Sequence, residues 1–416
     1  MSESLRVAFR TLGCKVNRTE AEAVAADLMG RGVEVVAEDA AEVVVVTTCT
    51  VTAESDHKAR KAVRHALGSP AQPVVVVTGC LAALDPEGLR ALGKRVIVET
   101  DREHVADRVA DLLGVRAVAG VPVARTGPGF RTRTMVKVED GCDAFCAYCI
   151  VPFARGLPRA TPLSSVVNEI GELVHAGTAE VVLTGINIGR YDWEGARLPE
   201  LLEAVAATGI PRIRLSSIEP DDVDERLLAV AATTPAFCEH LHVPLQSGCD
   251  RTLAEMGRRY DTDRYATIIE RAREVLPGCA ITTDVLVGFP GESDEDFERT
   301  LAFVEWMGFA RLHVFRYSRR AGTPAAARVD QVSPAVVSER ARRMRELGDR
   351  LHERFLERCI GSDVEVLVER SVDGESEGRV RNGAVARLAG SDAGVDRLVR
   401  VSVVSHDNGR LLCTPA

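Results

Sequence analysis

Apolar positions recur along the chain with two different periods. Short apolar runs at 5–11, 33–37, 43–49, 74–80 and 95–100 read as strands. Stretches near 19–29, 55–67 and 102–113 carry the helical repeat. The unbroken VVVV runs at 43–46 and 74–77 suit strands buried on both faces. Strand and helix in alternation therefore predict a parallel α/β sandwich over 1–115. Residues 116–133, RAVAGVPVARTGPGFRTR, are broken by Gly and Pro and read as a linker. Six more strand–helix units follow over 134–357. Their strands are expected at 134–139, 180–187, 212–217, 241–246, 280–288 and 311–318, with an Arg-rich last helix at 334–358. Such a series predicts a partial (βα)6 barrel, with its chemistry on loops after the carboxyl ends of the strands. In 358–416 the run DVEVLVE places Val364, Val366 and Val368 on one face, and Gly-containing turns predict a small antiparallel β-barrel. The fold class is α/β with this third element appended.

Composition narrows the picture. The chain has 416 residues, 46% hydrophobic and 27% charged, which excludes wholesale disorder, collagen-like repeats and a disulfide scaffold. No basic segment followed by an apolar one opens the sequence. No apolar run approaches the ~18 residues of a membrane span. A soluble, cytoplasmic protein without a membrane partner is expected. The net charge of −9 argues against indiscriminate attraction to nucleic acid. A local exception runs from 116 to 137, which holds five basic residues and no acid, with Phe130 available for stacking. It is either an RNA contact or a solvated connector. Residues 359–416 carry nine acids against seven Arg, so RNA affinity there would rest on a few positioned side chains.

Eleven cysteines in a reducing compartment point to metal or redox chemistry. Cys142, Cys146 and Cys149 form C-x3-C-x2-C after a strand. Three thiolates can hold three irons of a four-iron cluster and leave the fourth open. A zinc site with a distant fourth ligand is the alternative. A second set is spread out. Cys14 lies in TLGCKVN, and Cys49 and Cys80 end the runs VVVVTTC and VVVVTGC. The carboxyl ends of parallel strands share one sheet edge, where three cysteines can converge. Gly13 and Gly79 beside them would permit close backbone approach. Taken alone, the residues leave metal ligation and burial as structural cysteines both open. Cys238, Cys249, Cys279, Cys359 and Cys413 have no cluster spacing and read as small buried hydrophobes.

The triplet after the first strand of a six-unit βα series resembles the radical S-adenosylmethionine superfamily. That resemblance implies an open iron that chelates the methionine amino and carboxylate groups. It also implies reductive cleavage of the sulfonium to a 5′-deoxyadenosyl radical. TLGCKVN, TCTVT, TGC, GCDAFCAYCIVPFARG, SSIEP, PLQSGCD, TDVLVGFPGE and FRYSRRAGTPA, in that order, resemble the methylthiotransferases over 5–416. The family match implies two [4Fe-4S] clusters, the auxiliary one on Cys14, Cys49 and Cys80, and an RNA-binding TRAM barrel at the C-terminus. TLGCKVN is similar to the branch acting on N6-threonylcarbamoyladenosine at position 37, in the tRNA anticodon loop. One S-adenosylmethionine would give the methyl group and a second the radical; the electron donor and the sulfur donor are unidentified. The alternatives are the same chemistry on N6-isopentenyladenosine or on a ribosomal-protein aspartate, and a non-catalytic iron–sulfur RNA-binding redox sensor.

Candidate cofactor contacts lie at strand ends. Gly185 in LTGIN could admit the methionine moiety, and Gly288 in GFPGE could turn backbone toward the cofactor. Gln246 and Ser247 in PLQSG could bind ribose hydroxyls or the methionine carboxylate. Tyr148 could pack near adenine. Each has a plain alternative as a turn or packing residue. His240 and His242 point to one face of a strand, where hydrogen bonding inside the barrel is the default and a metal pair the alternative.

Overall fold

The computed structural model describes residues 5–115, 130–389 and 393–415. Of the expected linker, 116–129 lies outside the described residues.

The first region is a five-stranded parallel sheet in the order Glu34–Val35, Arg6–Thr11, Val43–Thr48, Val74–Gly79, Val96–Val98. Helices cover both faces, which is why the valine runs are continuous. Ala8, Val44, Val46, Val75 and Val77 pack with Ala59, Ala62, Val63 and Ala66 of the helix Ala53–Leu67. Val7, Val43, Val45 and Val76 pack on the opposite face with Leu28, Val105 and Val109. Each buried Val or Leu among them contributes ~1.5–3 kcal/mol of burial. The strand expected at 33–37 shrinks to Glu34–Val35, an exposed pair at the sheet edge.

Six parallel strands follow in sequence order: Arg133–Lys137, Glu180–Thr184, Arg212–Leu215, His240–His242, Ala280–Val287 and Arg311–Arg316. Regular pairing unites the first three and the last three, and single parallel bridges Ile213–Phe237 and Ser217–His242 join the two sets. The result is an open, partial barrel with helices packed outside. The strand expected to reach residue 246 stops at His242, because Pro244 brings no N–H and Gln246 adopts φ +68°. The helix Pro334–Glu357 closes the series, with Ser333 accepting from the Val336 N–H at its start.

The last region is a closed barrel of Asp363–Val372, Glu375–Val380, Val385–Ala389, Arg410–Pro415 and Leu398–Asp407. Four of its pairings are antiparallel, and Val385–Ala389 pairs in parallel with Arg410–Pro415. Its core includes Ala280, Ala310, Phe355 and Leu356 of the preceding region, so the two share an apolar seam. Arg212 and Arg214 reach across that seam. Both pair with the buried Glu180, at 2.8 and 2.7 Å, and both donate to backbone carbonyls at 379–381. Among the described residues no helix is long and apolar enough to cross a membrane.

Candidate functional site

The three dispersed cysteines meet at the carboxyl edge of the first sheet. Cys14 precedes the helix Lys15–Gly30, Cys49 follows Val43–Thr48, and Cys80 opens the helix Cys80–Leu84. The glycines make this convergence possible. A Cβ on Gly13 would lie 2.6 Å from the Cys49 Cβ, and one on Gly79 would lie 2.4 Å from the Thr48 carbonyl oxygen. Both have left-handed backbone, at φ +105° and +94°. Asn17 fastens the loops by donating to the carbonyls of Leu12 (2.8 Å) and Thr48 (2.9 Å). Loss of surrounding water raises the Cys49 thiol in its buried position and the Cys14 thiol at the cavity wall, and the neighbouring Cys80 raises both further.

The second trio occupies the loop after Arg133–Lys137. The Cys142 N–H donates to the Gly156 carbonyl (3.0 Å), and the Ala147 N–H to that of Met256 (2.8 Å). Burial, compounded by Cys146 and Cys142, pushes the Cys149 thiol up to about 12. Arg258 donates to the Cys146 sulfur at 3.2 Å. Crowded thiols that disfavour one another's ionisation suit a cationic inorganic core that takes their protons' place. The spacing bears on the zinc alternative. Among the described residues the one trio of His, Cys, Asp or Glu ligand atoms gathered within 4.8 Å is His242, Asp284 and His313. Around zinc, with Zn–S bonds of about 2.3 Å, three thiolates would sit within about 4 Å of one another. Neither cysteine trio is that tight, so neither is drawn in around a single zinc ion.

Arg155, on the helix that follows the second trio, reaches the first. It lies six positions past Cys149, its side chain is wholly buried, and its Nε donates to the Cys80 sulfur at 3.3 Å. The same guanidinium bonds Glu20 and Asp140 at 2.9 Å and Asn17 at 2.6 Å. Burial opposes its charge, but Cys80, Glu20 and Asp140 outweigh it and raise its pKa.

A cavity of about 570 Å3 runs from Cys14 down the barrel lumen to the C-terminal barrel. Gly185 and Val151 line its upper end. Cys142, Cys146 and Cys149 are not on its wall; Cys146 borders a separate hollow with Asn187, Glu219 and Arg258. Of the other candidates, Gly185 is at a close approach, where a Cβ would lie 2.8 Å from the Glu139 carboxylate. Ser247 turns its hydroxyl to Thr300 (3.2 Å), and the Gln246 backbone bridges to Val285. Gly288, at φ +79°, backs onto Val337, and its N–H is held by Glu292 at 2.7 Å. Tyr148 packs on the small core of Met256, Leu286, Phe289 and Ala325. None of these four lines the cavity. His240 and His242 both bond Thr282 Oγ1, at 3.1 and 2.9 Å, as the hydrogen-bonding expectation holds. The five unassigned cysteines are all buried.

Sequence reasoning missed two groups. Glu139 is wholly buried, accepts from the Asn187 N–H at 2.8 Å, and has one oxygen without a partner; burial pushes its carboxyl up to about 8. Asp284 accepts from His242 (3.0 Å) and His313 (3.1 Å) in the lumen. Burial alone would raise it, but these hydrogen bonds hold it well below the usual carboxylate range. The period-two placement of Asp284 was visible; its partners on two other strands were not.

The barrel with its three-cysteine loop defines the radical S-adenosylmethionine class. The Radical SAM superfamily model matches residues 136–304, and a second, described as uncharacterized protein family UPF0004, matches 6–98. The chain belongs to the methylthiotransferase family. It is 37% identical to threonylcarbamoyladenosine tRNA methylthiotransferase MtaB of Thermotoga maritima, over 87% of this chain and 86% of that one. It is 36% identical to the MtaB of Bacillus subtilis, over 96% and 93%. The tRNA-2-methylthio-N(6)-dimethylallyladenosine synthase of Nitratidesulfovibrio vulgaris is 33% identical, over 87% and 85%. Among solved structures, the radical S-adenosylmethionine methyltransferase TsrM of Kitasatospora setae shares the fold, with TM-score 0.58 at 15% identity, covering 90% of this chain and 80% of that one.

Proposed function

We propose that this protein is a tRNA methylthiotransferase that converts N6-threonylcarbamoyladenosine at position 37 to its 2-methylthio derivative. The observation that carries the reading is the meeting of Cys14, Cys49 and Cys80 at one sheet edge, beside the loop of Cys142, Cys146 and Cys149, whose following helix sends Arg155 to the Cys80 sulfur. The relatives' shared activity supports the substrate class. Residues 1–115 supply the auxiliary site on Cys14, Cys49 and Cys80. Residues 134–357 supply the radical site on Cys142, Cys146 and Cys149, and 358–416 the TRAM-like barrel. When bound, two [4Fe-4S] clusters and S-adenosylmethionine supply the radical that takes hydrogen from adenine carbon 2 and the sulfur and methyl that replace it.

The chain's own residues bind, orient and shield. Arg155 fixes the spacing of the two cysteine loops. Gly185 lets the chain pass close against Glu139 at the cavity wall, while Tyr148, Gln246, Ser247 and Gly288 shape the surrounding loops. The lumen isolates the reacting base from water. An anticodon-loop base is already partly unstacked, so extruding it costs little beside a duplex base. A tRNA substrate is consistent with work in the cytoplasm. The test is nucleoside analysis of tRNA from a deletion strain. Loss of 2-methylthio-N6-threonylcarbamoyladenosine, with the unthiolated nucleoside accumulating, supports the reading; an undiminished level refutes it.

A further inference from the structure

The lumen wall carries an imbalance of charge. Lys15, Arg133, Arg214, Arg311 and Arg379 line the cavity against a single carboxylate, Asp284. Asp284 is already engaged by His242 and His313. Arg214 is paired with Glu180 at 2.7 Å, and Arg133 with Glu369. Arg379 lies 3.9 Å from that same Glu369, and its Nε is buried without a hydrogen-bond partner. Lys15 and Arg311 have no ion pair and no side-chain hydrogen bond among the described residues. Burial and the fields of Arg133, Arg214 and Arg311 pull Arg379 down to about 10. Lys15 and Arg311 open to the cavity and Arg379, which donates to the Gly383 carbonyl at 2.9 Å, lies part-buried beside them; such a cluster of cations in a cleft marks a place where a ligand brings the missing charge.

The cavity says which anion. Its volume is that of a pocket for one nucleobase with a substituent. Cys14 lines its upper end and Lys15 is the next residue, so a base with its carbon 2 turned to Cys14 carries its N6 substituent toward the cations. The threonylcarbamoyl substituent ends in a carboxylate; a dimethylallyl substituent is neutral.

We propose that Lys15, Arg311 and Arg379 form an anion subsite that takes the threonyl carboxylate of N6-threonylcarbamoyladenosine and sets the preference for this base over one with a neutral N6 tail. The assignment rests on the function proposed above. The lysine of TLGCKVN then acts in recognition, beside a cysteine that acts in ligation.

The test uses anaerobically reconstituted full-length holoenzyme and synthetic anticodon stem-loops carrying N6-threonylcarbamoyladenosine, N6-dimethylallyladenosine or adenosine at position 37. Binding is read by anisotropy, and S-adenosylmethionine binding by equilibrium dialysis. Arg311→Gln breaks no ion pair and no side-chain hydrogen bond among the described residues and serves beside Lys15→Gln. Each variant is expected to weaken binding of the threonylcarbamoyl stem-loop about 10–100-fold, the range of a lost charge-assisted hydrogen bond. Binding of the adenosine stem-loop should stay within about twofold, and Arg311→Lys should restore most of the preference. Equal losses on all three RNAs would make the cations a phosphate site and overturn the proposal. So would weakened S-adenosylmethionine binding, which would assign them to the methionine carboxylate, and so would an unchanged preference. Wild-type enzyme that methylthiolates only the dimethylallyl stem-loop would overturn the substrate reading itself. Wild-type turnover of the threonylcarbamoyl stem-loop with unaltered variant preference would overturn the subsite alone.

Discussion

Arg155 donates to the sulfur of Cys80 across 75 positions of sequence, and the bond spans two regions of the fold. Around it Glu20, Asp140 and Asn17 complete a buried network that leaves the guanidinium no contact with water. Replacing Arg155 by Met leaves Glu20 and Asp140 with Lys137 alone, at 3.0 and 3.4 Å. The expected cost is ~2–3 kcal/mol, below that of stranding a buried charge outright. Anaerobic thermal unfolding should show the loss, and Arg155→Lys should recover part of it. An unchanged midpoint for Arg155→Met would contradict the network's role.

Gly79→Ala should be more damaging than Gly32→Ala, although both glycines have left-handed backbone. At Gly32 a Cβ meets nothing within 4 Å, so only the conformational penalty of about 1 kcal/mol applies. At Gly79 the Cβ would strike the Thr48 carbonyl, forcing the loops of Cys49 and Cys80 apart. The expected destabilisation is ~3 kcal/mol or more. Urea unfolding of the two variants side by side checks the order, and equal costs would remove the argument for close approach.

The first sheet was legible because its strands are buried on both faces, and the pattern survives in VVVV at 43–46 and 74–77. The cysteine trios were legible as positions: loops at one sheet edge meet whatever their separation in sequence. Their connection was not. Arg155 reads in sequence as one arginine among 47, and only tertiary packing brings it to Cys80. Asp284, His242 and His313 sit on three strands whose lateral register no local periodicity encodes. The parallel pair in the small barrel was hidden likewise, since period-two alternation is the same in both directions. The strand over 241–246 overran because its apolar run continues past the turn that Pro244 and Gln246 impose.

Glu180 holds Arg212 and Arg214, and those arginines hold the C-terminal barrel through its carbonyls. Glu180→Gln would strand two guanidiniums in a dry seam. A loss of ~3–5 kcal/mol is expected, with faster proteolysis between 358 and 362. Protease resistance equal to wild type would count against this anchoring role.

Glu139 supplies a pH dependence. Its folded pKa, about 8, stands above the unfolded value of roughly 4.3. A carboxyl raised in this way binds its proton more tightly when folded. Stability from this group is therefore present at low pH and drains away as pH rises toward about 8. Glu139→Gln lacks that proton. It should match wild type near pH 5 and exceed it by at least ~1 kcal/mol at pH 8. Melting curves of the metal-free proteins between those values provide the check, and parallel pH profiles would contradict the assignment.

The most direct measurement is iron and sulfide content per chain after anaerobic reconstitution of wild type, Cys14→Ala and Cys142→Ala. Two independent four-iron clusters predict about eight irons in wild type and about four in each variant, with each variant keeping the spectrum of the cluster the other has lost. Wild type holding about four irons, all of them lost with Cys142→Ala and none with Cys14→Ala, would contradict the account.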